Sequence, residues 1–259
     1  MTFPTPERLI RFQHPEKVLG YLGPLDEDRL GPLFGLPAER FGAIRREHAA
    51  HARRLAEDLL ADDDFAAAVD RLPFAAGQRV VAVGESTTAD LLSWFEILRH
   101  LLDLRRPGHG STLVNLAVSG QSTTQALGAL PALAAQRPDW VLCMLGGNDA
   151  MRVGGTKDTQ VSLPETERNL RLLRQAAPAA TWLWLAPTSV DEARVTAYQP
   201  FQRARLSWAN EDLRAIGEVL AAMPEQVVSL AEPDHEDDGL HLSPAGQRAL
   251  AAAFVASLA

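Results

Sequence analysis

The chain has 259 residues, 46% hydrophobic and 22% charged, with a formal charge of −8 at pH 7. That length gives one large domain, or one domain with an appendage, and ample residues for a buried core. The acidic balance argues against a nucleic-acid surface, which needs clustered cations, and no apolar run is long enough to span a bilayer.

The opening MTFPTPERLIRFQ has no apolar run behind a basic patch, so no secretory signal is expected and the expected compartment is the cytoplasm. Residues 1 to about 35 are interrupted by Pro4, Pro6, Pro15, Pro24 and Pro32. From Pro37, Phe41, Ile44, His48, Ala52, Leu55 and Leu59 recur at threes and fours, predicting a long amphipathic helix. A second short helix carries Phe65, Val69 and Leu72 after the acidic break Asp62–Asp64. Residues 1–75 are therefore expected to be a helical extension, packed on the core or on a partner such as a second copy. Residues 76–259 are expected to form the main domain.

From Arg79 onward, apolar β-type runs alternate with helical patterns, as in parallel βαβ units. Strands are expected at 79–83, 112–118, 139–145, 181–186 and 226–230. Helices are expected at roughly 89–103, 122–136, 163–177, 206–222 and 244–258. About five parallel strands with helices on both faces is the doubly wound α/β architecture, whose ligands bind at the C-terminal strand ends. Cys143, the sole cysteine, falls in an apolar run and is expected to be a buried, inert thiol.

Four polar clusters fall at such ends: Gly84-Glu85-Ser86; Asn115 to Ser122 around Gly120; Gly146-Gly147-Asn148-Asp149; and Asp238-Gly239-Leu240-His241. Each has a purely structural account. Ser86 suits a helix cap, Gly120 and Asn148 suit turns, and Asp238 with His241 suits a solvated acidic loop. Together they supply what acyl transfer requires: a serine nucleophile, a base, a carboxylate that orients the base, and donors for an oxyanion.

The four blocks resemble those of the SGNH (GDSL) hydrolase family: Ser86 in VGES, Gly120 in NLAVSGQS, Asn148 in LGGND, and Asp238 and His241 in DGLH. The resemblance runs from residue 79 to about 250. It implies a flavodoxin-like three-layer α/β/α sandwich and hydrolysis of a small carboxylic ester or thioester, without metal or other cofactor. Ser86, His241 and Asp238 are the implied catalytic residues; the Ser86 and Gly120 amides with the Asn148 side chain are the implied oxyanion hole. One departure is Glu85, a methylene longer than the aspartate the family usually places before its nucleophile.

An acyltransferase would use the same site, and a weakly catalytic scaffold kept for binding is the non-enzymatic alternative. A metal-dependent phosphoesterase would draw on Asn148, Asp149, His235 and the run Asp234–Asp238, but the paired Asp-His motifs expected at earlier strand ends are missing. The segment Pro187–Leu206, with Tyr198 and Phe201, is expected to border the cleft.

Overall fold

A computed structural model of the chain describes residues 5–259. It begins with α1 (Pro6–Phe12), α2 (Pro15–Val18), α3 (Glu27–Leu33), α4 (Ala38–Leu60) and α5 (Asp63–Arg71). Then follow β1 (Arg79–Gly84), α6 (Ser86–Ala89), α7 (Trp94–Arg105), β2 (Thr112–Asn115), α8 (Thr123–Ala126), α9 (Leu130–Gln136) and β3 (Trp140–Met144). Next come β4 (Arg152–Val153), α10 (Leu163–Gln175), β5 (Thr181–Leu185), α11 (Glu192–Ala197), α12 (Gln199–Ala204) and β6 (Leu206–Ser207). The chain ends with α13 (Asn210–Ala221), β7 (Gln226–Val228) and α14 (Pro244–Leu258).

The central sheet has the order β2-β1-β3-β5-β7 and is parallel throughout, with Val81 opposite both Val114 and Val141. Its β-branched and apolar runs are buried on both faces because helices cover both. Val80, Ala82, Leu142 and Leu183 point to a layer formed by α4, α5, α7 and α14, where Trp94, Leu98, Leu101 and Phe254 are fully buried. Val81, Val83, Val141 and Cys143 point the other way, toward Leu133, Leu170, Leu173 and Leu220 of α9, α10 and α13. This is the three-layer sandwich the sequence pattern and the resemblance implied. The connection after β1 runs to one side and β3 lies on the other, so the switch point of the sheet falls between β1 and β3.

The N-terminal helices pack on this core. Leu55 and Ala56 of α4, Val69 of α5 and Leu72 share one apolar cluster with the sheet. Ile10 of α1 and Leu30 of α3 close against Phe41 and Ile44 of α4.

Several boundaries differ from expectation for local reasons. The helix expected from residue 89 starts at Trp94, because Ser93 caps it and Asp90 is turned away to the Arg11 guanidinium. The helix over 122–136 breaks into α8, a 3₁₀ turn and α9, with Gly128 in the turn and Pro131 at the start of α9. The one expected from 206 starts at Asn210, since Leu206 and Ser207 pair antiparallel with Arg152 and Val153. The segment 187–206 is itself largely helical, as α11 and α12.

Candidate active site

Ser86 is the first residue of α6, immediately beyond the C-terminal end of β1, with Glu85 as the preceding cap residue. Gly120 follows β2 in the left-handed region, at φ +77°, where glycine carries no Cβ penalty. Asn148 follows β3, and His241 precedes α14. These four residues line one open cavity of about 320 Å³, so the structure brings together what the sequence separates by more than 150 positions. Asp238 lies just behind, almost fully buried.

The Asp238–His241 pair is closely made. Asp238 Oδ2 lies 2.8 Å from His241 Nδ1, and its Oδ1 accepts the backbone N–H groups of Leu240 and His241 at 2.9 Å each. Burial opposes ionisation of this carboxyl, but the hydrogen bonds and charge of the imidazole and the two backbone donors hold it far below the usual carboxylate range. In the neutral imidazole, an ionised acceptor at Nδ1 puts the ring proton on that nitrogen, which makes Nε2 the one able to accept a proton. Neither Nε2 nor Ser86 Oγ has a hydrogen-bond partner among the described residues, so these two residues of the cavity wall are not bonded to each other. Such bonds commonly close only around substrate.

Two backbone donors are also uncommitted. The N–H groups of Ser86 and Gly120 donate to no backbone or side-chain acceptor among the described residues. Asn148 differs. Its Nδ2 donates to Glu85 Oε2 at 2.7 Å and to Gln121 O at 3.3 Å, so both amide hydrogens are engaged.

Glu85 therefore sets the Asn148 loop. Its Oε2 also accepts the Asn148 backbone N–H at 3.0 Å, and a Cβ on residue 147 would stand 2.3 Å from Oε1, so only glycine lets the carboxyl in. Burial, reinforced by the nearby Asp149 charge, pushes this carboxyl up to about 8 despite the N–H donors around it. Asp149 is spent on structure, accepting from Thr123 and from Thr166 Oγ1.

The groups the sequence offered to a metal diverge. Asp234 accepts from Ser243 Oγ, His235 Nε2 meets Ser189 O at 2.8 Å, and Asp238 is held by His241. Tyr198 and Phe201 stack edge-on, and Phe201 with Trp208 forms part of the cavity wall. Cys143 is fully buried in β3, and burial pushes its thiol up. Three wall residues, Arg8, Leu9 and Phe12, come from α1 and are absent from the sequence-based site. The one local signal was the Thr5-Pro6-Glu7 start, which caps a helix there.

The GDSL-like Lipase/Acylhydrolase family matches residues 82–249, well over half of the chain and all four site blocks. The chain belongs to this family. It is 42% identical over 71 residues to thioesterase 1/protease 1/lysophospholipase L1 of Escherichia coli K12, covering 27% of this chain and 31% of that protein. It is 32% identical over 103 residues to esterase TesA of Pseudomonas aeruginosa, covering 38% of this chain and 50% of that one. The chain thus aligns with half or less of the length of these curated relatives.

Solved structures align over more of the chain. Axe2, an acetylxylan esterase from Geobacillus stearothermophilus, superposes with a TM-score of 0.53 at 20% identity, over 71% of this chain and 95% of its own. LAE5, from the metagenome of Lake Arreo, gives 0.53 at 21%, over 71% and 96%. At such identities the likeness speaks for the fold.

Proposed function

We propose that the chain is a serine-dependent hydrolase of carboxylic esters or thioesters. The observation that carries this is a buried, ionised Asp238 fixing His241 at the rim of the cavity that holds Ser86 and two uncommitted backbone N–H groups. In this mechanism His241 Nε2 takes the Ser86 proton as Oγ attacks the acyl carbonyl. The oxygen that becomes negative is received by the Ser86 and Gly120 amides and by Asn148 Nδ2, which releases Gln121 O to reach it. The imidazolium, stabilised by Asp238, returns its proton to the leaving alcohol or thiol. Water activated by the same imidazole then opens the acyl-enzyme.

Family membership supports the reading, as do the esterase and thioesterase activities named for relatives. In Axe2, alanine replacements of a serine, of an aspartate and of a histidine three positions after that aspartate are each named catalytic mutants. Asp238 and His241 have that spacing.

A second reading, a binding module on the same scaffold, draws on one observation: the Asn148 amide is engaged in the resting protein. A fluorophosphonate probe separates the two. Labelling at Ser86 that disappears in Ser86→Ala, with hydrolysis across a p-nitrophenyl ester chain-length series, is the expected result. A folded wild type silent in both would favour the binding module.

A further inference from the structure

The N-terminal segment does more than cover the core. Within about ten residues it reaches three of the loops that carry site residues. The carbonyl of Arg11 accepts the Leu91 N–H at 3.0 Å, and His14 Nε2 meets Ala89 O at 2.7 Å, both just beyond the Ser86 turn. Ser119 Oγ donates to Phe12 O, and Lys17 Nζ donates to Ala117 O at 2.9 Å, beside Gly120. At the third loop, Arg8 Nη2 stands 2.7 Å from Asp238 Oδ2, while Nη1 donates to Glu236. Arg11 takes the other oxygen of Glu236 and grips Asp90 with Nε and Nη2 at 2.7 and 2.6 Å.

We propose that Arg8 of α1 is a positioning residue for the hydrolytic centre, its guanidinium clamping the Asp238 carboxylate on the same oxygen that holds His241. The inference rests on the reading of Ser86, His241 and Asp238 as a triad. A carboxylate oxygen shared between Arg8 Nη2 and His241 Nδ1 cannot rotate away from the ring without breaking a charge-assisted bond. The Phe12 ring, 4.9 Å from the imidazole at 51°, limits the ring from another side, and both arginines lie against that phenyl group at 5.5 and 4.8 Å. Arg8, Arg11 and Phe12 all lie outside the segment 82–249 that matches the family, so α1 contributes to the site from beyond it.

Arg8 and Arg11 divide the acids around the pair. Glu236, on the histidine loop, is bonded by both arginines, and Arg11 also pairs Asp90 after α6. Arg194 of α11 donates to His235 O on the same loop. Arg8 is the arginine bonded directly to Asp238 Oδ2, the oxygen that also meets His241 Nδ1. Loss of such a contact separates from loss of scaffolding in the kinetics: kcat falls while KM and the thermal midpoint hold.

The test compares the full chain with Arg8→Gln and Arg8→Lys, using a p-nitrophenyl ester and the fluorophosphonate probe. The expected result for R8Q is a kcat lower by about tenfold or more, with KM within about twofold and the thermal midpoint within a few degrees of wild type. R8K should recover kcat in part, since its ammonium restores the charge at Asp238 without the guanidinium fork. R8Q matching wild type in kcat would overturn the proposal. So would equal losses in both variants with a collapsed thermal midpoint, the mark of a merely structural arginine. A wild-type chain that neither hydrolyses nor labels defeats the triad reading and this proposal together, whereas an active wild type with an indifferent R8Q defeats this proposal alone.

Discussion

Glu85→Gln leaves the shape of the side chain almost unchanged and removes its titration. In the folded protein Glu85 is 6% exposed, and burial together with Asp149 raises its carboxyl from 4.5 to about 8. The folded chain therefore keeps a proton that the unfolded chain has already released. The stability this contributes is complete below about pH 4.5 and is lost as pH rises toward 8. One pH unit in that window is worth about 1.4 kcal/mol, so the wild type should lose roughly 4 kcal/mol relative to E85Q between pH 5 and pH 8. Taking the difference between the two proteins cancels every titration they share. Urea unfolding of both at pH 5, 6, 7 and 8 measures it. A difference that stays constant across this range would refute the claim that the carboxyl is neutral in the folded state, and would mean that the N–H groups of Gly147 and Asn148 outweigh its burial.

Asn148→Ala should lower kcat by about 10² to 10³ with an unchanged far-ultraviolet spectrum, as for loss of one oxyanion donor; turnover within a few fold of wild type would remove Asn148 from the oxyanion hole. Phe254→Ala deletes a fully buried ring of α14 that lies 5.3 Å from Trp94. It should cost about 3–5 kcal/mol in urea unfolding, and a loss under 1 kcal/mol would mean that the layer repacks around the gap.

What was legible in the sequence follows from how locally each feature is determined. The five parallel strands showed because burial on both faces demands uninterrupted runs such as Val80–Val83 and Val141–Leu145. The β4–β6 pair did not, since two residues a side, Arg152-Val153 and Leu206-Ser207, carry no periodicity. The helices within 187–206 did not show either; Pro200 interrupts the pattern there, yet it occupies the opening turn of α12, where a missing N–H costs nothing. Ser86, Gly120, Asn148 and His241 were visible as residue types at strand ends, and they line one cavity. Two features of that cavity had no sequence signal. Glu85 holding the Asn148 amide depends on a gap left by Gly147, and the α1 wall depends on contacts spanning some 230 positions. Neither leaves a mark in spacing or composition.

Cys143, sealed in the middle of β3 with its sulfur wholly enclosed, gives the folded chain a practical asset. A thiolate forms there only with difficulty, so alkylating dyes and spin labels should pass it by in the native state. A single cysteine engineered at an exposed site such as Tyr21 or Leu33 would then carry the label alone, and the approach of the amino-terminal helices to the cleft could be followed in solution without first replacing the native sulfur.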